Sequence, residues 1–273
     1  MPQAFGKALA DLGIRPNSQV LLIVDENALF AALPAPRIGG MSQGRAGRAV
    51  VEVALSAIGE TGLLALPFDP LSDPKKGSHR RTLFASEATR PHGLASAAMA
   101  GPDVARSEAP ILALAAVGKG AKELTDGQLG AAPFAMGPGS PWAKLLHRPV
   151  RLVMTRTPAT VNYGLLLPVH LRYSEYGRPA FFNRAFPFRV RDRNGREREV
   201  AFHLHACPFQ PHYDLAGYAD FGRFMDHLDD KCELYAKARI GNLELVACDF
   251  AAQYRACVEA MAEGNYLEDA RYW

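Results

Sequence analysis

His203, Leu204, His205, Ala206 and Cys207 place two imidazoles and a thiol at alternate positions, with His212, Tyr213 and Asp214 a few residues beyond. On a strand, alternate residues share a face. The two histidines and Cys207 therefore point one way, and Phe202, Leu204 and Ala206 form the opposite, apolar face. Neighbours on one face can hold a single metal ion, so His203 with His205, or His205 with Cys207, could do so with His212 or Asp214 as a remote ligand. His203 and Cys207 alone lie about 13 Å apart along an extended strand, too far to share an ion. Imidazole and thiolate donors suit zinc or iron. Two other readings stay open: a Cys207 thiolate activated by His205, and hydrogen-bonded imidazoles on a substrate-facing strand with a buried thiol.

Other groups have chemistry to offer. His170 and Glu175 could pair as base and orienting acid. Pro168 keeps Leu167 out of helical geometry, and a surface histidine with a solvated glutamate explains both. The glycine-rich stretch around Arg45 and the basic stretch from Lys75 to Arg81 could hold phosphates of a CoA-like or nucleotide-like ligand. Neither matches the phosphate-binding P-loop pattern, and a solvated basic loop is the plainer reading of each. Ser140 followed by Pro141 reads as a helix cap and first-turn proline, with Lys144 one turn on. Asp25, Glu26 and Asn27 follow the first apolar run. A helix starting there would favour a bound anion, yet the two carboxylates would occupy its donors and repel that anion.

These residues need elements to hold them. Ala4–Leu12, Arg48–Ile58 and Phe250–Ala262 have helical spacing. Val20–Val24, Leu63–Pro67, Ile111–Val117 and Val150–Thr155 are short apolar runs suited to buried strands. Their alternation with helices predicts an α/β fold around a mostly parallel sheet. After residue 180, Asn194 and Gly195 between Phe188–Val190 and Glu199–Cys207 mark a hairpin, and Leu243–Ala247 leads into the last helix. The reading is one domain over 1–273, with an α/β core over 1–180 and a hairpin and helical elaboration over 181–273. The long stretches Pro34–Gly47 and Phe68–Arg81 read as loops lining a site.

Composition narrows the class. The 273 residues are 48% hydrophobic and 22% charged, and a net charge of +3 is too small to argue for nucleic acid. No apolar run reaches the roughly 18 residues of a membrane span. The opening residues lack a signal peptide's pattern, and Cys207, Cys232, Cys248 and Cys257 show no Cys-x-x-Cys pairing. The expectation is a cytoplasmic protein with free thiols and a small-molecule substrate, without nucleic-acid or membrane partners.

Several pieces in order and spacing resemble the aminoglycoside 3-N-acetyltransferase (antibiotic N-acetyltransferase) family. They are Leu12-Gly13-Ile14, Glu60-Thr61-Gly62, Arg106-Ser107 with Pro110, Ala115-Ala116 with Gly118, Gly139-Ser140-Pro141 with Lys144-Leu145, and Arg239-Ile240-Gly241-Asn242. The resemblance implies a single α/β fold that acylates an amine from acetyl-CoA, with a His–Glu pair withdrawing the amine proton. Where that family has its base, this chain has Asn162, with Leu165 at the glutamate position; an amide cannot take up a proton near neutral pH. The family's His-Ser-Ser turn corresponds to Asp25-Glu26-Asn27, a further imidazole to Ala109, and an acidic Asp-x-Asp to His205 and Cys207. The expected catalytic set is accordingly Asn162, His203, His205 and Cys207. Asp25, Asn27, Arg45, Ser140 and Lys144 lie toward an acetyl-CoA or other acyl-CoA, and His203 with His205 form the optional metal pair. The implied function is a diverged N-acyltransferase of specialised metabolism or resistance. Two alternatives are a repurposed enzyme built on the His/His/Cys cluster and a non-catalytic small-molecule binder.

Overall fold

Runs in which almost every residue is apolar become strands covered on both faces. The computed structural model describes residues 2–33, 43–68, 93–101, 103–156, 181–191, 196–205, 228–230 and 234–264. Its centre is a parallel trio: β1 (Gln19–Ile23) between β2 (Leu63–Phe68) and β5 (Val150–Thr155), with Leu21 level with Ala65 on one side and Leu152 on the other. Antiparallel strands extend it on both sides. β4 (Ala113–Gly118) pairs with β2 and then with β3 (Val104–Arg106); β9 (Leu243–Asp249) pairs with β5 and then with β8 (Ala236–Ile240). Among the described residues the large sheet thus has seven strands in the order β3-β4-β2-β1-β5-β9-β8. The α/β layering predicted from the sequence is present, with the parallel part confined to β2-β1-β5. β8 and β9 come from beyond residue 180, so the main sheet draws on both parts of the chain.

The two-residue period of a strand sorts the apolar side chains between two cores. Leu21, Ile23, Leu152, Met154, Val246 and Cys248 join one core; Val20, Leu22, Val153, Leu245 and Ala247 join the other. On the second face lie α1 (Pro2–Asp11), α2 (Glu26–Ala32), α3 (Gln43–Ile58) and α4 (Gly93–Met99), contributing Phe5, Leu29, Val50 and Leu94. Gly47 lets α3 approach α4 closely, since an added Cβ would sit 3.3 Å from the Gly93 carbonyl oxygen. On the first face lie α5 (Ala121–Thr125), α6 (Pro141–Leu145) and the final helix α7 (Phe250–Gly264), with Leu124, Trp142 and Cys257. The antiparallel hairpin of β6 (Phe181–Arg191) and β7 (Glu197–His205) adds Phe188, Val190 and Phe202 to the same core.

Several boundaries differ from the sequence expectation for identifiable reasons. Gln43–Gly47 is the first turn of α3 rather than loop, so Arg45 is an exposed helix residue. Its glycines suggested a loop, but Gly47 serves helix packing. β8 was not predicted because Lys237 and Arg239 interrupt its apolar positions on an exposed edge. The β8–β9 turn consists of Gly241 and Asn242, with Gly241 at φ 57°, in the left-handed region a two-residue hairpin demands.

Candidate functional site

Open α/β sheets bind ligands beyond the carboxyl ends of their parallel strands, where the strand order reverses. Here the chain leaves β1 through α2 and α3 toward β2, and later returns through α5 and α6 to β5 on the other side of β1. The reversal therefore falls between the carboxyl ends of β1 and β5. Asp25, two residues beyond β1, donates its backbone N–H to the hydroxyl oxygen of Thr155, the last residue of β5, at 2.8 Å. Thr155 is wholly buried and Asp25 half-buried. A threonine closing an apolar strand is the one signal in the sequence that could have marked this bridge.

Both carboxylates after β1 are engaged by backbone donors. Asp25 is the N-cap of α2, and its Oδ1 accepts from the Ala28 N–H at 3.0 Å. Glu26 reaches across to the other helix, where its Oε1 accepts from the Leu94 N–H at 2.7 Å in the first turn of α4. Gly93 has φ 69°, and any Cβ there would fall on the Glu26 carboxylate. The sequence reading that these carboxylates take helix donors is what the structure shows, with Glu26 serving a second helix. Asn27 is exposed on the first turn of α2.

On the opposite face, the start of β4 is tied to the loops before α6. The indole N–H of Trp142 donates to the Leu112 carbonyl at 2.7 Å, and the side-chain amide of Gln128 donates to the same carbonyl at 3.0 Å and to that of Ala135 at 3.1 Å. Leu112 adopts φ 48°. Ser107 closes the β3–β4 connection twice: its N–H donates to the Leu114 carbonyl, and its hydroxyl oxygen accepts from the Leu114 N–H. Ala109, where the family resemblance places an imidazole, is buried in this core.

Ser140 and Pro141 form the predicted cap and first-turn proline: Ser140 Oγ accepts from the Ala143 N–H at 3.1 Å. The Lys144 ammonium donates to the carbonyls of Glu123 and Asp126, both at 2.8 Å, and so finishes the C-terminal end of α5. Phe202 is fully buried, as the strand alternation predicts. His203 is half-buried, stacked on Phe134 with ring centroids 5.1 Å apart and planes 12° apart, while its backbone N–H donates to the Pro133 carbonyl. Phe134 gave no signal in the sequence.

His205 ends β7 opposite Phe181. Its side chain, with Asn162, Leu165, His170, Glu175, Cys207, His212 and Asp214, lies outside the described residues, as do Lys75–Arg81. Among the described residues, no three His, Cys, Asp or Glu side chains gather as a metal site. No helix there is long and apolar enough to cross a membrane. Cys248 and Cys257 are free and buried. Burial pushes the Cys257 thiol up to about 12 and raises that of Cys248 further. Burial, and then the neighbouring Cys248, hold the Tyr235 hydroxyl protonated. All three groups are in their neutral forms near pH 7.

Known structures share this architecture from end to end. The aminoglycoside acetyltransferase AAC(3)-Xa is 18% identical with a TM-score of 0.69, covering 96% of this chain and 92% of its own. AAC-IIIb in a binary complex with CoASH is 18% identical with a TM-score of 0.68, covering 96% of each chain. A mutant of AAC(3)-IVa in complex with a gentamicin is 16% identical with a TM-score of 0.68, covering 97% of this chain and 90% of its own. At such identities these likenesses establish the fold. No curated protein matches the chain by sequence. The family model for aminoglycoside 3-N-acetyltransferase matches residues 36–262, beginning beyond α2, so that Asp25 and Glu26 fall outside it. By that match, which takes in most of its length, this chain belongs to the aminoglycoside 3-N-acetyltransferase family.

Proposed function

We propose that this chain transfers an acyl group to an amine-type acceptor, working by positioning the reactants rather than through a His–Glu base. The family match over residues 36–262 supports acyl transfer to an amine, and the positioning mechanism rests on reading Asn162 as the counterpart of the family's base. In the step itself, the acceptor nitrogen attacks the carbonyl carbon of a thioester. The N–C bond forms, the C–S bond breaks, and the proton given up by the nitrogen passes, directly or through water, to the departing sulfur, which leaves as a thiol. General-base help in such a step is worth about 10²–10⁴-fold. With Asn162 read as standing in the base position, the acceptor is a weakly basic one that is already partly deprotonated near neutral pH, such as a hydroxylamine or hydrazine. His203, His205 and Cys207 would present imidazoles and a thiol to that acceptor, in place of acidic groups that attract a polycation.

A CoA-bound relative suggests an acyl thioester as donor. The turn after β1 does not fit the diphosphate of CoA, because Asp25 and Glu26 already occupy the Ala28 and Leu94 N–H groups with carboxylates. The natural setting of such an activity is resistance or specialised metabolism. The test is acetyl transfer from a short thioester, S-acetyl-N-acetylcysteamine, to hydroxylamine, followed by thiol release and by mass. Protein-dependent formation of the acetyl hydroxamate is the expected result. Only the background rate with folded protein would refute the acyltransferase reading.

A further inference from the structure

We infer that the crevice between the carboxyl ends of β1 and β5 is closed to the nucleotide diphosphate of an acyl-CoA, so that the chain engages its donor through the thioester and pantetheine arm. This rests on the acyl-transfer reading and names the donor chemistry of that same site. The strand order reverses here, so a ligand phosphate would seek its donors at this edge. Among the described residues, two backbone N–H groups of this turn and a third at the start of α4, on the β2 side, are committed to the protein. The Asp25 N–H goes to the Thr155 hydroxyl at 2.8 Å, the Ala28 N–H to Asp25 Oδ1 at 3.0 Å, and the Leu94 N–H to Glu26 Oε1 at 2.7 Å. Two of the acceptors are carboxylates, so a diphosphate would have to displace like charges as well as hydrogen bonds. The Glu26 contact is built into the backbone: Gly93, at φ 69°, leaves the carboxylate the space that any side chain would fill.

Calorimetric titration with CoA and with pantetheine tests this, using the wild-type chain and an Asp25→Ser/Glu26→Gln double variant. Serine and glutamine retain oxygen acceptors for the Ala28 and Leu94 N–H groups but remove both charges. The wild type is expected to bind CoA less than tenfold more tightly than pantetheine, or to give no heat with CoA. The double variant should gain about tenfold or more for CoA with pantetheine unchanged. A wild-type preference for CoA of tenfold or more overturns the inference. So does a folded double variant whose CoA affinity rises less than threefold. If the double variant fails to fold, Asp25→Asn alone is measured against the same threefold limit. The short-thioester assay reads the acyltransferase function separately, because that donor carries no diphosphate.

Discussion

Glu26 joins the start of α4 to the turn after β1, and Gly93 is the residue that makes room for it. Glu26→Ala should lower stability by about 1 kcal/mol through loss of a helix-terminal hydrogen bond, while Glu26→Gln stays within about 0.5 kcal/mol. Gly93→Ala combines a left-handed backbone with a Cβ driven into that carboxylate, and should cost about 1–3 kcal/mol. Urea denaturation of the three variants checks the order, and equal stability for Gly93→Ala and wild type would refute it. His205→Ala should remove acyl transfer while changing stability by less than about 1 kcal/mol; undiminished turnover would take His205 out of the site. At this scale the sequence is legible where a motif is local. Ser140 and Pro141 announce their helix start three residues from the N–H they cap. The Glu26–Leu94 bond, between residues 68 apart, gives no such signal. Nor do the side-chain bonds of Trp142 and Gln128 to Leu112 or the stacking of Phe134 on His203.

The central strands were readable because both faces of β1, β2 and β5 are covered, which demands unbroken apolar runs. The edges were not: β3 is three residues long, and β8 carries charges on its open side. Helix α4, built of small residues next to a positive-φ glycine, also lacks a clear period. One consequence at this scale is an alkaline limit. Cys257 on α7 and Cys248 on β9 stay protonated in the folded state above the ordinary thiol value of 9.0. The folded chain therefore holds protons that the unfolded chain releases. That stability is fully present below about pH 9 and declines as pH rises toward the Cys257 value of about 12. Melting temperature should fall above pH 9, and Cys257→Val, of similar volume but without a proton to lose, should weaken the dependence. An identical slope in wild type and variant would show that the thiol is not responsible.

For the molecule as a whole, alternating runs and the ordered family pieces were enough to read the α/β class and the family, and the match over residues 36–262 supports both. Three-dimensional context was needed to see that β9 and β8 complete the main sheet, because antiparallel addition beside β5 depends on which strand edge the earlier chain leaves open. The scaffold is that of the aminoglycoside 3-N-acetyltransferase family, whereas the acceptor we propose is uncharged and weakly basic. The account is tested most directly by comparing acyl transfer to hydroxylamine and to a gentamicin-type aminoglycoside with one short thioester donor at neutral pH. Turnover of hydroxylamine, with the aminoglycoside slower by about 10²-fold or more, is the predicted result. Aminoglycoside turnover near one per second, equal to or faster than that of hydroxylamine, would contradict it.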